Sequence, residues 1–318
     1  MSRVNDAGPV LVTGAAGFAG SHLVEHLAGR CDLTAWTRSD PPAEMASLAR
    51  WTRVDLLDRE RVRAEILALR PAAVYHCAGA AHVADSWQDT VGPLAGNVLT
   101  THYLFDALRR AGAPCRVLVT GSATVYAASA SPLHEDSPLA PASPYALSKL
   151  AQEQLGCLAV GEDGVDVILT RPFNHTGPRQ RPTFAAPGIA RQIALIEQGA
   201  MKPLLKVGNL DAERDLTDVR DTVRAYALLM QHGTPATPYN VATGVARPMR
   251  AIVDALIERS RVAIEVAQDP ARLRPHDIPV LVGDPTRLRS ATGWAPLIGF
   301  GRMLDDLLEY WRASVLAK

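Results

Sequence analysis

The 318-residue sequence has no net charge, no long apolar run and only four cysteines. Its 33 basic side chains balance 33 acidic ones, so no basic field predicts a nucleic-acid or membrane partner. No apolar stretch could cross a bilayer, and residues 1–9 contain no run typical of a signal peptide. The cysteines are widely spaced and form no CxxC pattern, which predicts reduced thiols rather than a zinc site. We therefore expect a cytoplasmic protein.

Apolar runs and helical patterns alternate in the first half of the chain. This alternation predicts an α/β fold, with a Rossmann-type doubly wound parallel sheet and helices on both of its faces. Since 318 residues exceed the usual size of one core, a second lobe is expected. Strands are predicted at residues 10–12, 33–36, 73–77, 116–120 and 167–169, and helices at 19–28, 59–69, 97–111, 189–198, 222–231, 249–259 and 303–315.

A glycine-rich segment follows the first predicted strand and opens the first helix. Gly14 and Gly17 permit a tight turn close to a pyrophosphate, and Gly20 lets the helix pack closely on the strand. Backbone N–H groups at the start of this helix, at Phe18 and Ala19, face the phosphates. In this strand–turn–helix context, the segment predicts a dinucleotide site.

The second predicted strand ends at a position that distinguishes two dinucleotides. An NAD site often has an acidic residue here, but this sequence has Thr37 and then Arg38. The Arg38 guanidinium is suited to a 2′-phosphate, so NADP is preferred as cofactor. NAD stays the alternative, and Asp40 would then supply the carboxylate.

Two further strand ends complete the predicted cofactor site. Asp55 and Leu56 follow a short strand, and Asp55 either meets the adenine amino group or caps a helix. Ala78, Gly79 and Ala80 follow the next strand, where small residues let the cofactor approach the backbone. We expect residues 1–172 to form the NADP-binding domain, with residues 213–243 returning to it. Residues 173–318 would mainly form a smaller, interleaved α/β substrate-binding lobe, because no long polar linker separates the two.

Tyr145 and Lys149 form the most informative pair in the sequence. On a helix, their i, i+4 spacing places the phenol and the ammonium on one face. The positive charge is expected to lower the tyrosine pKa from its free value of about 10. Such a tyrosine can act as an acid or base near neutral pH.

Together with Ser122, these motifs resemble the extended short-chain dehydrogenase/reductase family over essentially the whole chain. The resemblance implies a nicotinamide cofactor, a nucleotide-sugar substrate and pairing of two copies through helices of the Rossmann domain. It also implies that Tyr145 transfers the proton, that Lys149 tunes it and holds the ribose, and that Ser122 binds the reacting oxygen. No metal is expected, since the carboxylates form no credible cluster.

The neighbours of Ser122 narrow the reaction. The 4,6-dehydratases of this family place an acidic pair directly after the hydroxyl residue, whereas Ala123 and Thr124 stand here. Ala123 cannot transfer a proton, and Thr124 is a poor replacement for a glutamate. Dehydration is therefore disfavoured, and reduction or 4-epimerisation at the sugar remains.

Residues 171–180 resemble the corresponding segment of GDP-4-keto-6-deoxy-D-mannose reductases. The resemblance implies a GDP-linked deoxyhexulose substrate, reduced at C4 to GDP-D-rhamnose. Forked cationic donors suit a diphosphate, and the expected substrate-binding residues are Asn174, Arg179, Arg214 and Arg274, together with Ser122. The alternatives are a nucleotide-sugar 4-epimerase and, more remotely, a non-catalytic dinucleotide-binding protein.

Overall fold

The computed structural model describes residues 8–81, 83, 85–162, 164–273 and 278–316. The strands are β1 (Val10–Thr13), β2 (Leu33–Thr37), β3 (Arg50–Arg53), β4 (Ala73–His76), β5 (Arg116–Thr120), β6 (Asp166–Pro172), β7 (Asn174–Thr176), β8 (Leu204–Val207), β9 (Glu213–Asp218), β10 (Pro238–Val241), β11 (Ala246–Pro248), β12 (Glu265–Gln268) and β13 (Val280–Leu281). The helices are α1 (Phe18–Leu27), α2 (Arg59–Leu69), α3 (Val91–Pro93), α4 (Thr100–Ala111), α5 (Pro144–Glu162), α6 (Ala185–Glu197), α7 (Val219–His232), α8 (Met249–Glu258), α9 (Thr286–Thr292) and α10 (Phe300–Leu316).

The large sheet has seven strands in the order β10-β6-β5-β4-β1-β2-β3, and every neighbouring pair is parallel. β1 and β4 are buried at every position, as expected for parallel strands covered by helices on both faces. Counted from the β3 edge, the order of the large sheet begins with the 3-2-1-4-5-6 arrangement of a Rossmann sheet. The predicted fold class is confirmed.

Two sets of helices cover the faces of this sheet. Leu23 of α1, Val223 of α7 and Leu288 of α9 share one hydrophobic core. Ile66 of α2 and Leu104 of α4 belong to the core on the other face, together with residues of α5. The carboxyl ends of the strands are left free for loops, which is where α/β sheets bind their ligands.

The second lobe is also α/β. β9 pairs with β11 in antiparallel fashion and with β7 and β13 in parallel fashion, while β8 pairs with β12. Helices α6, α8 and α10 share a separate core that includes Ile193, Leu256 and Leu307. Between these elements the chain returns to the large sheet, where β10 lies beside β6. The two lobes are therefore interleaved along the sequence. The domain boundary placed after residue 172 stays a prediction.

The helix predicted at residues 97–111 differs from its observed form. A π-helical turn, Leu94–Leu99, precedes α4, which begins at Thr100. In contrast, α2 begins and ends at the predicted residues. None of the described helices is long and apolar enough to span a membrane.

Candidate active site

The glycine-rich loop brings β1, α1 and the end of β4 into direct contact. Gly14 has a φ of 66°, and a Cβ there would lie 2.6 Å from the Cα of Ala78. A Cβ at Gly20 would overlap the carbonyl oxygen of Gly14. The first turn of α1 contains no acidic residue that would repel a phosphate. Its backbone N–H groups are therefore suited to binding a pyrophosphate.

The residues after β2 and β3 lie at the same edge of the sheet. Arg38 is exposed and has no polar partner among the described residues. Asp55 is exposed, and its carboxylate accepts a hydrogen bond from the Leu57 N–H at 3.0 Å. The cap of α2 is instead Asp58, which accepts from the Arg61 N–H. Asp55 is thus not the helix cap, and its contact with adenine stays a prediction.

The loop after β4 connects the glycine-rich segment to the catalytic residues. The Ala78 N–H donates to Thr13 Oγ1 at 3.4 Å. A Cβ at Gly79 would overlap Asn97 Oδ1 and lie 3.6 Å from Lys149 Nζ. The other predicted members of this region are Ala80, which is half-buried, and Leu56, which is buried in the core.

Tyr145 and Lys149 lie in the first turns of α5, which begins at Pro144. Proline suits this position because its missing N–H has no partner there in any helix. Ser122 follows β5 and caps a short 3₁₀ turn. The three side chains are buried, with exposures of 8% for Tyr145, 5% for Lys149 and 7% for Ser122.

The expected effect of Lys149 on Tyr145 is wrong. Burial raises the pKa of Tyr145 above its ordinary value, and only a hydrogen bond with Ser122 opposes this. Burial also lowers the pKa of Lys149 to about 8. Removal from water therefore governs both shifts. The phenol is kept in its protonated form.

Lys149 is held by acceptors that sequence analysis missed. Its Nζ donates to the carbonyl oxygen of Thr120 at 2.8 Å and to Gln152 Oε1 at 3.0 Å. Asn97, on the π-helical turn, donates from Nδ2 to Ser148 Oγ at 2.8 Å, while its Oδ1 is buried without a partner. No helical period reveals Asn97, because the π turn shifts it out of that period. Gln152 lies three residues after Lys149, and this helical spacing is the one feature of the sequence that indicates their contact.

The residues expected to bind the substrate occupy different surroundings. Asn174 is exposed on β7, and Arg214 is half-buried on β9, where it donates to the carbonyl oxygen of Glu213 at 2.8 Å. Arg274 lies outside the described residues. Their contacts with a substrate stay predictions.

Arg179 contacts α1. Its guanidinium donates to both carboxylate oxygens of Glu25 at 2.7 Å and lies 2.9 Å from Nδ1 of His22. Close by, the ring of Phe18 stacks on His175 with centroids 5.7 Å apart. The guanidinium of Arg179 therefore already has a carboxylate partner within the chain, and its role in binding the substrate stays a prediction.

A family model described as GDP-mannose 4,6 dehydratase matches residues 11–307. The chain belongs to this family. It is 36% identical over 310 residues to GDP-6-deoxy-D-mannose reductase from Pseudomonas aeruginosa, covering 96% of this chain and 98% of that protein. The resemblance to extended short-chain dehydrogenases/reductases is thereby confirmed, and the chain is an enzyme of this group.

Solved structures agree with this assignment. The structure of RMD from Pseudomonas aeruginosa, complexed with NADPH, has a TM-score of 0.84 at 32% identity and covers 97% of this chain and 100% of that chain. UDP-glucose 4-epimerase from Thermus thermophilus, complexed with NAD, has a TM-score of 0.84 at 29% identity, with 96% and 99% covered. The fold is thus shared by enzymes with different reactions, and the site residues must distinguish them.

In this member of the GDP-mannose 4,6-dehydratase family, the residues after Ser122 carry no carboxylate. Ala123 is 1% exposed, and the Thr124 hydroxyl lies 2.9 Å from Ser122 Oγ. Thr124 therefore supports the serine hydroxyl and supplies no acid. Among the described residues, no group of three or more His, Cys, Asp or Glu side chains could hold a metal ion.

Proposed function

We propose that this protein reduces the C4 ketone of GDP-4-keto-6-deoxy-D-mannose to GDP-D-rhamnose and prefers NADPH as reductant. The phenol of Tyr145, buried and hydrogen-bonded with Ser122, carries the proposal, because reduction of a ketone requires a proton donor at the oxygen. The 36% identity to GDP-6-deoxy-D-mannose reductase supports the choice of substrate.

The catalytic residues divide the reaction among them. When bound, NADPH supplies the hydride that adds to C4 of the sugar. Ser122 holds the ketone oxygen by a hydrogen bond, and Tyr145 donates its phenolic proton to that oxygen as negative charge develops. Lys149 stabilises the phenolate that remains, which then recovers a proton from water.

The preference for NADPH rests on Arg38. Its exposed guanidinium follows β2 and has no carboxylate partner among the described residues. A free guanidinium suits the dianionic 2′-phosphate of NADPH. NAD stays the alternative, and the Thermus epimerase structure contains it.

The substrate lies, in this proposal, between the ends of the β-strands and the second lobe. Asn174 offers a donor and an acceptor to the sugar, and Arg214 and Arg274 supply the diphosphate with cationic donors. Arg179 would need to exchange Glu25 for the substrate, which makes it the weakest of these assignments.

A 4-epimerase is the second candidate, favoured by the structural likeness to UDP-glucose 4-epimerase. It would use the same residues but would return the hydride to the substrate, without net use of cofactor. Dehydration is disfavoured, because Ala123 and Thr124 cannot supply its second acid.

The test is NADPH oxidation with GDP-4-keto-6-deoxy-mannose, followed by identification of the product. Stoichiometric oxidation with formation of GDP-rhamnose supports the proposal, whereas turnover without net oxidation indicates an epimerase.

Tyr145→Phe should bind NADPH normally but lose about 10²–10⁴-fold in kcat. Tyr103→Phe on α4 is the matched control and should keep full activity. Near-normal kcat in Tyr145→Phe would refute its role as the acid.

We also propose a cytoplasmic homodimer. Leu94 and Leu99 of the π-helical turn and Leu147 and Leu158 of α5 are 43–56% exposed, and these two elements pack against each other. Exposed apolar residues on adjacent helices are typical of a two-fold interface. Leu158→Glu should yield a monomer in analytical ultracentrifugation; a wild-type monomer would refute the dimer.

The four unpaired cysteines agree with a reducing compartment, as proposed for a cytoplasmic protein.

A further inference from the structure

A chain of buried polar side chains runs from Lys149 to the strand before the glycine-rich loop. Gln152, Thr101, His76 and Thr13 are each 0% exposed. They connect α5, α4, β4 and β1 in that order. Because buried polar groups need partners, the positions of the hydrogens in this chain follow from its chemistry.

Thr101 fixes the direction of the hydrogen bonds. Its hydroxyl donates to the carbonyl oxygen of Asn97 at 2.6 Å, which uses its single proton. Its oxygen must therefore accept from Gln152 Nε2 at 2.7 Å and from His76 Nε2 at 2.9 Å. Consequently His76 carries its proton on Nε2, and Nδ1 accepts from Thr13 Oγ1 at 2.8 Å.

The same inventory fixes the amide of Gln152. Its Nε2 faces Thr101, so its carbonyl Oε1 faces Lys149 Nζ at 3.0 Å. The reversed amide would place an NH₂ group against the ammonium and a carbonyl oxygen against a hydroxyl with no proton left to donate. Gln152 is thus held with its acceptor toward the catalytic lysine.

We propose that Gln152 is a positioning residue, which holds the Lys149 ammonium in place and favours its protonated form. The inference rests on the proposed function, in which Lys149 acts beside Tyr145. Together with the carbonyl oxygen of Thr120, Gln152 engages two of the three N–H bonds of the ammonium. The third N–H remains for the phenol or the ribose.

Neutral oxygen atoms, rather than a carboxylate, hold the Lys149 ammonium. The titratable groups around Lys149 are Cys77, His76, Tyr145 and, beyond Tyr145 and Cys77, Tyr226 of α7. Burial raises the pKa of Cys77 to about 12 and lowers that of His76 to about 3, so both are neutral near pH 7. No carboxylate faces the ammonium among these groups, and burial disfavours its charge.

The experiment compares the pH dependence of kcat/KM in Gln152→Leu, Gln152→Glu and the wild type. Gln152→Leu removes an acceptor from the ammonium, so the alkaline limb should move down by about one to two pH units. Gln152→Glu adds a negative charge, so the limb should move up. A residue with a merely structural role would not shift the limb in opposite directions.

Thr101→Val and Gln192→Leu are the companion variants. Thr101→Val frees the Gln152 amide and should give a smaller downward shift. Gln192, which is 6% exposed on α6 in the second lobe, is a matched buried glutamine, and its replacement by leucine should leave the limb unmoved. If both Gln152 variants keep the wild-type limb, the positioning role is refuted.

A second readout separates this inference from the proposed function. The pH dependence of NADPH affinity, measured by fluorescence titration, also reports on the charge of Lys149 and needs no sugar substrate. Absence of turnover by the wild type refutes the proposed substrate alone. Unchanged pH dependence of NADPH affinity in both Gln152 variants refutes the positioning role, whatever the substrate is.

Discussion

The ion pair between Arg171 and Glu153 gives the strongest stability prediction. Arg171 is the penultimate residue of β6 and Glu153 lies on α5, and the two are 3% and 5% exposed. The guanidinium donates to the carboxylate at 2.9 Å and 2.6 Å, and also to the Tyr126 hydroxyl at 2.9 Å. Burial opposes the charge on Arg171, but Glu153 and Tyr126 together outweigh it and raise the pKa of the guanidinium.

Glu153→Gln leaves this guanidinium buried without a counter-charge. Loss of one partner from a buried pair costs about 3–5 kcal/mol, whereas an exposed pair contributes at most about 1 kcal/mol. Glu65→Gln on α2 is the matched control, since its partner Arg61 is 52% exposed at a distance of 2.7 Å. The free energy of unfolding should therefore fall sharply in the first variant and barely in the second.

Urea unfolding followed by circular dichroism measures both changes. The double variant Arg171→Met/Glu153→Leu should be more stable than Glu153→Gln alone, because it removes the uncompensated charge together with its partner. A free energy of unfolding within about 1 kcal/mol of the wild type for Glu153→Gln would show that water or another group compensates the arginine.

Three further predictions concern the cofactor site and acid stability. Gly20→Ala should lower NADPH affinity at least about tenfold, because its methyl group overlaps the Gly14 carbonyl; Gly161→Ala, in open space, is the control in the same titration. Arg38→Ala should weaken NADPH about tenfold but leave NADH unchanged, as measured by fluorescence titration. His22, whose pKa burial lowers to about 4, binds a proton more readily when unfolded. The free energy of unfolding should therefore fall between pH 6.5 and 4 by up to about 1.4 kcal/mol per pH unit, and less so in His22→Gln.

The large sheet could be predicted because its information is local. The strand residues form short apolar runs, and the steric demand at Gly20 comes from the carbonyl oxygen of Gly14, six residues earlier. Helix α2 begins one residue after its capping Asp58, a preference that operates within a single helical turn. Such elements need no knowledge of distant parts of the chain.

The partners of the site residues could not be predicted in the same way. Arg179 meets Glu25 across 154 residues of sequence, and a single sequence gives no indication of this contact. The orientation of Gln152 depends on Thr101, a residue of another helix whose hydroxyl is already committed. The pKa of Tyr145 depends on burial, which the sequence pattern of Tyr145 and Lys149 does not contain.

The direction of these pKa shifts bears on the choice between reductase and epimerase. A reductase begins with a protonated phenol, whereas an epimerase must first remove a proton from the C4 hydroxyl with a phenolate. Burial raises the pKa of Tyr145 and lowers that of Lys149, and both shifts disfavour the phenolate–ammonium pair with which oxidation begins and reduction ends. Gln152 and Thr120 restrain the Lys149 ammonium without adding charge. The site therefore lacks a strong bias toward the phenolate form of Tyr145. The site at rest therefore holds the protonated phenol with which reduction begins, and the exposed Arg38 is suited to NADPH.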